Sequence, residues 1–189
     1  IAAEPEVKLW DLAALDILLF YVLFEAMLIP MYFLIGVFGG DDRARSGAAA
    51  VKFLLYNLFG GLIMLAAVVG LYVVTANSKA FDHGTFDVRA ITDAVSNGRF
   101  VIQPGVAHAL FLGFLFAFAV KAPLWPLHRW LPDAAVQATP ASAVLMMAVM
   151  DKVGTFGMLR YCLPLFPDSA TLFRPVVIAL AVIGIIYGA

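Results

Sequence analysis

The stretch AFAVKAPLWPLHRWLPDA, residues 117–134, ends a long apolar run that begins at Pro104. Ten consecutive residues of this stretch contain three prolines, Pro123, Pro126 and Pro132. A proline in a helix interior removes a hydrogen bond and kinks or breaks the helix. Irregular backbone at membrane depth is tolerated only where protein or a water-filled cavity surrounds it. The sequence therefore predicts a membrane span over residues 104–131 that is broken near 121–126.

The composition of the whole chain is that of a membrane protein. Apolar residues make up 63% of the 189 residues and charged residues 13%, whereas a soluble domain is about half apolar and about a quarter charged. The 12 Lys and Arg residues are balanced by 13 Asp and Glu residues, so no basic excess indicates a nucleic-acid partner. One cysteine excludes an intrachain disulfide or a paired-cysteine metal site, and three histidines form no metal or haem pattern.

Apolar segments elsewhere predict four further spans in a single all-α transmembrane domain, 1–189. This domain is interpreted as a fragment of a longer chain, because it begins without a methionine and its last span is short. Pro30 is expected to kink the first span, and Asn57, Gly60 and Gly61 suit close helix packing in the second. The polar stretch 76–103 predicts an amphipathic interfacial helix. The four spans cover residues 13–38, 51–75, 140–162 and 172–189.

Two charged residues lie at the centres of predicted spans. Glu25 is central in the first span, and Lys152 is central in the fourth, twelve residues from both Pro140 and Pro164. A charge at mid-bilayer costs roughly 2.5–3.5 kcal/mol on insertion scales and indicates a functional site by default. A protonated, hydrogen-bonded Glu25 or a static ion pair at Lys152 are the structural alternatives. Asp151 is expected to be a poor partner for Lys152, since neighbouring side chains on a helix point to different faces.

Lys121 and His128 flank the predicted break. Lys121 could be an interfacial lysine at the end of its span, but the prolines that follow favour a functional role because a discontinuous membrane helix typically marks an ion or substrate site. His128 could relay protons, because imidazole changes its charge near neutral pH.

Three segments carry a family resemblance: FEAMLIPMYFLIGVFGG (24–40), AFAVKAPLWPLHRWLPDA (117–134) and KVGTFGMLRYCLPLFP (152–167). They resemble the antiporter-like membrane subunits of respiratory NADH:quinone oxidoreductase, complex I, and most closely the subunit M group. The resemblance implies half of an inverted-repeat fold of about five helices. It also implies a proton relay in which Glu25 pairs with Lys121 and Lys152 supplies a second lysine, with His128 beside the break.

The resemblance implies further properties of the assembly. Redox steps in other subunits would drive the proton movement, and this chain would hold no NADH, flavin, iron–sulfur cluster or metal. Its partners would be other membrane subunits of the complex, the lipid bilayer and protons, without nucleic acid. Its location would be the inner (plasma) membrane of a bacterium, with the mitochondrial inner membrane as the less favoured alternative.

The sequence departs from the family pattern at two positions, and several alternative functions stay open. Ala135 stands where the family often has a histidine, and Asp151 stands where a small or apolar residue is usual. The alternatives are a subunit of a multisubunit sodium/proton antiporter or membrane-bound hydrogenase, a structural scaffold with static charge pairs, and a quinone-binding subunit near His128 and Trp125. The relay hypothesis predicts that Glu25 and Lys121 face each other and that polar groups or water link Lys121 to Lys152.

Overall fold

The structure is a computed structural model that describes residues 16–188, and this part of the chain is almost entirely helical without a β-strand. Residues 13–15 of the first predicted span, and Ala189, lie outside the described residues. Five helical segments are long and apolar enough to cross a membrane, which confirms the predicted all-α membrane fold. The helices are α1 (Ile17–Ala26), α2 (Leu28–Gly36), α3 (Arg43–Ala76), α4 (Val88–Ser96), α5 (Pro104–Lys121), α6 (Leu131–Gln137), α7 (Pro140–Leu165) and α8 (Pro167–Gly188).

The first span is interrupted in its middle. It starts where the Asp16 carboxylate accepts a hydrogen bond from the Leu19 amide at 2.8 Å, and it is divided at Met27 into α1 and α2. Pro30 has no amide hydrogen, so the carbonyl of Ala26 four residues earlier lacks its helical donor. The helix is therefore interrupted at Met27, two residues after Glu25 and three before Pro30, near the position where a kink is predicted.

The second span, α3, begins eight residues before the predicted start at Val51. Asp42 caps it by accepting hydrogen bonds from the amides of Ala44 and Arg45, which satisfies donors that have no partner within the first helical turn. The predicted start is the first residue of the apolar segment, and the first part of the helix lies outside that segment because it contains Arg43 and Arg45.

The third span breaks where the sequence predicts. Helix α5 ends at Lys121, and Ala122 leaves the helical region with φ −92° and ψ 69°. A short 3₁₀ turn, Leu127–Trp130, then leads into α6. The indole Nε1 of Trp130 donates to the Val120 carbonyl at 2.9 Å, so the segment after the break folds back onto the end of α5.

The fourth span, α7, contains two five-residue π-helical turns, Met146–Met150 and Met158–Cys162. Wider π turns accommodate irregular hydrogen bonding, and the second one directly precedes Pro164. The span therefore continues to Leu165 instead of ending at the predicted residue 162. Helix α8 begins at Pro167, five residues before the predicted 172, because proline is well suited to a first helical turn.

The predicted amphipathic segment is present as the nine-residue helix α4. Val88, Ile91 and Ala94 are buried in the core of the chain itself, so the apolar face of α4 packs on protein.

Helix α3 packs antiparallel against both neighbours through glycines. On the α1–α2 side, a Cβ on Gly36 would lie 3.1 Å from the Cβ of Ala50, and Gly61 faces Glu25. On the α5 side, the close contacts are Gly60 with Val120, Gly113 with Ala67 and Gly70 with Leu110. Small residues let membrane helices approach closely, and this register places Glu25 and Lys121 near the same part of α3.

Candidate functional site

Lys121 is buried at the carboxyl end of α5, with 1% of its surface exposed. Its amine donates a hydrogen bond to the Phe24 backbone carbonyl on α1 and lies 3.3 Å from the centroid of the Phe24 ring. The negative end of the helix dipole and the face of an aromatic ring both stabilise a cation. Lys121 therefore lies inside the bundle and not at an interface with water.

Glu25, the residue after Phe24, points towards α3. Both carboxylate oxygens are buried, and no described residue donates a hydrogen bond to them. A Cβ built on Gly61 would lie 2.1 Å from Oε1 and 2.6 Å from Oε2 of Glu25, so the carboxylate occupies space that only a glycine leaves free. A buried carboxylate without partners is costly, which makes this site a candidate for protonation or hydration.

Glu25 and Lys121 point into one junction between α1, α3 and α5, and their charges interact electrostatically. They do not form a direct hydrogen bond, because the amine donates to the Phe24 carbonyl and the carboxylate oxygens accept no bond from a described residue. The two residues therefore face one junction and interact electrostatically, but only Lys121 has a hydrogen-bond partner among the described residues. A small side-chain movement would be enough to change their interaction.

His128 lies in the 3₁₀ turn after the break and is half-buried. Its Nδ1 is buried without a hydrogen-bond partner among the described residues. The ring stands edge-on to Tyr187 of α8 with 5.3 Å between ring centroids. The turn after the break therefore carries an imidazole, seven residues after Lys121 in the chain, whose Nδ1 is open to a hydrogen bond.

Lys152 does not face the interior of the bundle in the described part of the chain, in contrast to the expectation from its central position. Its side chain is 70% exposed, and its amine bonds to the Asp151 carboxylate at 3.2 Å. Asp151 is therefore the partner after all, because a long lysine side chain can bend back towards its neighbour despite their different directions on the helix.

The exposure of Lys152 follows from how α7 packs. Gly154 and Gly157 contact Phe118 of α5, and Gly154 also contacts Ala122 directly after that helix. Lys152 is two residues from Gly154, which is about 200° around a helix. These contacts between α5 and α7 are apolar or backbone contacts. The polar connection expected between Lys121 and Lys152 is therefore not formed by them, and the role of Lys152 stays a prediction.

Some polar contacts were not predicted from the sequence. Lys52 pairs with Asp133 at 2.5 Å and so links α3 to α6. Asn57, assigned to helix packing, is 3% exposed, and its Oδ1 has no hydrogen-bond partner among the described residues. Its mid-span position was the available signal, since a polar residue inside a membrane is costly unless it has a use.

No group of three or more His, Cys, Asp or Glu side chains that could hold a metal ion occurs within residues 16–188. The polar groups gathered at the junction and the break are carboxylate, amine, amide and imidazole. The carboxylate, amine and imidazole can bind and release protons, and the amide can donate and accept hydrogen bonds.

Comparison with known proteins agrees with these features. The family model described as "NADH:quinone oxidoreductase/Mrp antiporter, TM" matches residues 14–189. NADH-quinone oxidoreductase subunit M of Mycobacterium tuberculosis (strain H37Rv) is 72% identical over 188 residues, which is 99% of this chain and 33% of that protein. Subunit M of Escherichia coli (strain K12) is 41% identical over 179 residues, which is 93% of this chain and 33% of the relative.

A solved structure shows the same fold. A chain of respiratory complex I from Thermus thermophilus with bound NADH matches with a TM-score of 0.72 and 35% identity, over 87% of this chain and 32% of that chain. The chain spans about a third of the length of the relatives it matches. The resemblance predicted from the sequence is confirmed, and the chain belongs to the membrane-spanning NADH:quinone oxidoreductase/Mrp antiporter family.

Proposed function

We propose that this chain carries part of a proton path across the membrane within an NADH:quinone oxidoreductase, with Glu25 and Lys121 as the central pair. The observation that carries the proposal is the buried junction at the broken helix. There an amine that is 1% exposed interacts with a carboxylate whose oxygens have no hydrogen-bond partner among the described residues. Ionisable groups inside a membrane that are not fully paired typically mark ion pathways.

The pair can exchange a proton when the two side chains come within hydrogen-bond distance or when one water bridges them. A protonated Glu25 carboxyl that gives its proton to a neutral Lys121 amine becomes a carboxylate, and the amine becomes an ammonium, so charge and protons balance. At an effective dielectric of about 20, two unit charges ~8 Å apart interact by roughly 2 kcal/mol. A change in their separation can therefore shift the position of the proton.

Further groups extend the path in this proposal. His128 takes part next to Lys121, because its buried Nδ1 is available for a hydrogen bond. Lys152 acts as the second lysine and meets protein or water from outside the described chain, since a lysine facing lipid at mid-membrane costs roughly 2.5–3.5 kcal/mol. The Asp151 contact then holds Lys152 until another group competes for it.

The proposal assigns the redox chemistry to other subunits. Iron–sulfur clusters are held by four cysteines or by two cysteines and two histidines, and this chain contains one cysteine. We propose that it binds no NADH, flavin, metal or iron–sulfur cluster and acts as a translocase subunit that other membrane subunits drive. We place it in the inner membrane of a bacterium, as supported by the bacterial relatives.

Glu25→Gln tests the proposal. In the full-length chain within the assembled complex, we expect proton pumping into inverted membrane vesicles to fall by about tenfold. Glutamine cannot release a proton, and its neutral side chain does not attract the charged Lys121 amine as a carboxylate does. Pumping is measured by quenching of a pH-sensitive dye, relative to NADH oxidation in the presence of a protonophore.

The amount of assembled complex is measured in the same membranes. The glutamine is similar in size to the glutamate, so the amount of complex should fall much less than proton pumping does. Loss of the complex together with its activity would favour a structural scaffold, and unchanged pumping would remove Glu25 from the path.

A further inference from the structure

Asn57 is a buried polar residue that the proposed path does not use, and it lies one helical turn before Gly61 on α3. Its amide Nδ2 donates to the Phe53 carbonyl at 2.9 Å, which fixes the direction of the side chain. Its Oδ1 is buried and accepts no hydrogen bond from a described residue. A buried acceptor without a donor is costly, so the position calls for a donor that reaches it.

The helix register identifies the group that can reach it. On α3, Gly60 lies against Val120 of α5, so continuing the antiparallel register places Lys121 level with Phe59 and Asn57 level with the start of the break. The backbone of Lys121 therefore lies between the levels of Gly61 and Asn57 along α3. Its amine points towards Phe24, which is next to Glu25 and so near the level of Gly61. Asn57 lies in the opposite direction along α3.

The carboxylate of Glu25 lies on the same face of α3. Glu25 contacts Gly61. Asn57 precedes Gly61 by four residues, so Asn57 and Gly61 lie on one face of α3 about 6 Å apart. Lys121 has three donor hydrogens and a stem of four methylenes. An amine that moves from Phe24 towards Asn57 therefore stays close to the Glu25 carboxylate.

We infer that Asn57 is a positioning residue whose Oδ1 is a second acceptor for the Lys121 ammonium, so that the amine alternates between the Phe24 carbonyl and Asn57. The inference rests on the proposed function of Glu25 and Lys121. Asn57 itself neither gains nor loses a proton. Its oxygen stabilises the charged amine in the second position and releases it when Lys121 becomes neutral.

A pair of nearly isosteric variants tests this role in the full-length chain within the assembled complex. A threonine at this position can donate to the Phe53 carbonyl and keeps an acceptor oxygen, whereas valine keeps the shape without the oxygen. We expect Asn57→Val to lower proton pumping per NADH oxidised by about tenfold, the loss expected for a hydrogen bond to a charged group. We expect Asn57→Thr to retain most of the pumping.

The outcomes separate the two claims when Glu25→Gln is measured in parallel. Equal pumping by Asn57→Val and Asn57→Thr, whether normal or impaired, would overturn the role of Asn57, and the proposed function would stand if Glu25→Gln remained defective. Normal pumping by Glu25→Gln would overturn the proposed function and the inference with it. If Asn57→Val does not assemble, Asn57→Ala replaces it, since alanine also removes the oxygen but adds no branched side chain.

Discussion

A Lys121→Met substitution is expected to lower the rate of proton pumping by on the order of a hundredfold while the complex still assembles. Methionine fills a similar volume but cannot carry a proton, and loss of a positioned proton-transfer group typically slows its step by roughly 10²–10⁴-fold. Assembly should be retained because Glu25 can take up a proton when Lys121 is replaced, so that no ionised carboxylate stays buried without a partner. The measurement is dye quenching in inverted vesicles together with the amount of assembled complex.

Lys52→Met is the matched control for Lys121→Met. Lys52 is also a lysine within a membrane-spanning helix, but its side chain is 37% exposed and pairs with Asp133 outside the junction. Exposed ion pairs contribute about 0–1 kcal/mol, so pumping should change little. Wild-type pumping by an assembled Lys121→Met complex, or equal defects in the two variants, would contradict the assigned role of Lys121.

Gly61→Ala is expected to reduce proton pumping by up to about a hundredfold, although it adds one methyl group outside the pair. The new Cβ would lie 2.1 Å from Oε1 of Glu25, whereas ordinary contacts begin at 3.4 Å, so the carboxylate must move by more than 1 Å. A displacement of that size can cost about a hundredfold in a reaction that depends on positioning. The carboxylate is at the end of a flexible side chain, so the protein can adjust and the complex should assemble.

Gly60→Ala provides the control for Gly61→Ala on the same helix. Its Cβ would meet Val120 at 3.3 Å and the Cα of Ala117 at 3.5 Å, which are contacts that small shifts relieve. We expect near-normal pumping from this variant. If both glycine variants pump normally in assembled complexes, the position of the Glu25 carboxylate against α3 does not matter for the path.

Much of the fold follows from local sequence signals. The break after Lys121 was predictable because proline acts within its own helix turn, whatever surrounds it. The ends of the spans were less predictable, because hydropathy does not detect a capping residue such as Asp42 or a first-turn proline such as Pro167. The continuation of α7 past residue 162 depends on π turns, for which apolar periodicity gives no signal.

The residues of the site could be predicted only where the cost of burying a charge in the membrane, or a break in a helix, points to them. A charge at mid-span singles out Glu25, and Lys121 is singled out by the prolines that follow it, in both cases without knowledge of the neighbouring helices. Lys152 shows the limit of that argument, because its position on the face of α7 away from Gly154 and Gly157 decides its exposure. The contact of Gly61 with Glu25 depends on the register of two helices, so the sequence indicated close packing at Gly61 but not what packs there.

The measurement that tests the central claim most directly is proton pumping per NADH oxidised in the assembled complex that carries both Glu25→Gln and Lys121→Met. Residues that act as one unit show strongly non-additive defects. If Glu25 and Lys121 exchange one proton, the double variant should pump as poorly as Lys121→Met alone and no worse. A double variant whose defect equals the product of the two single defects would show that the residues act independently, and it would contradict the coupled pair.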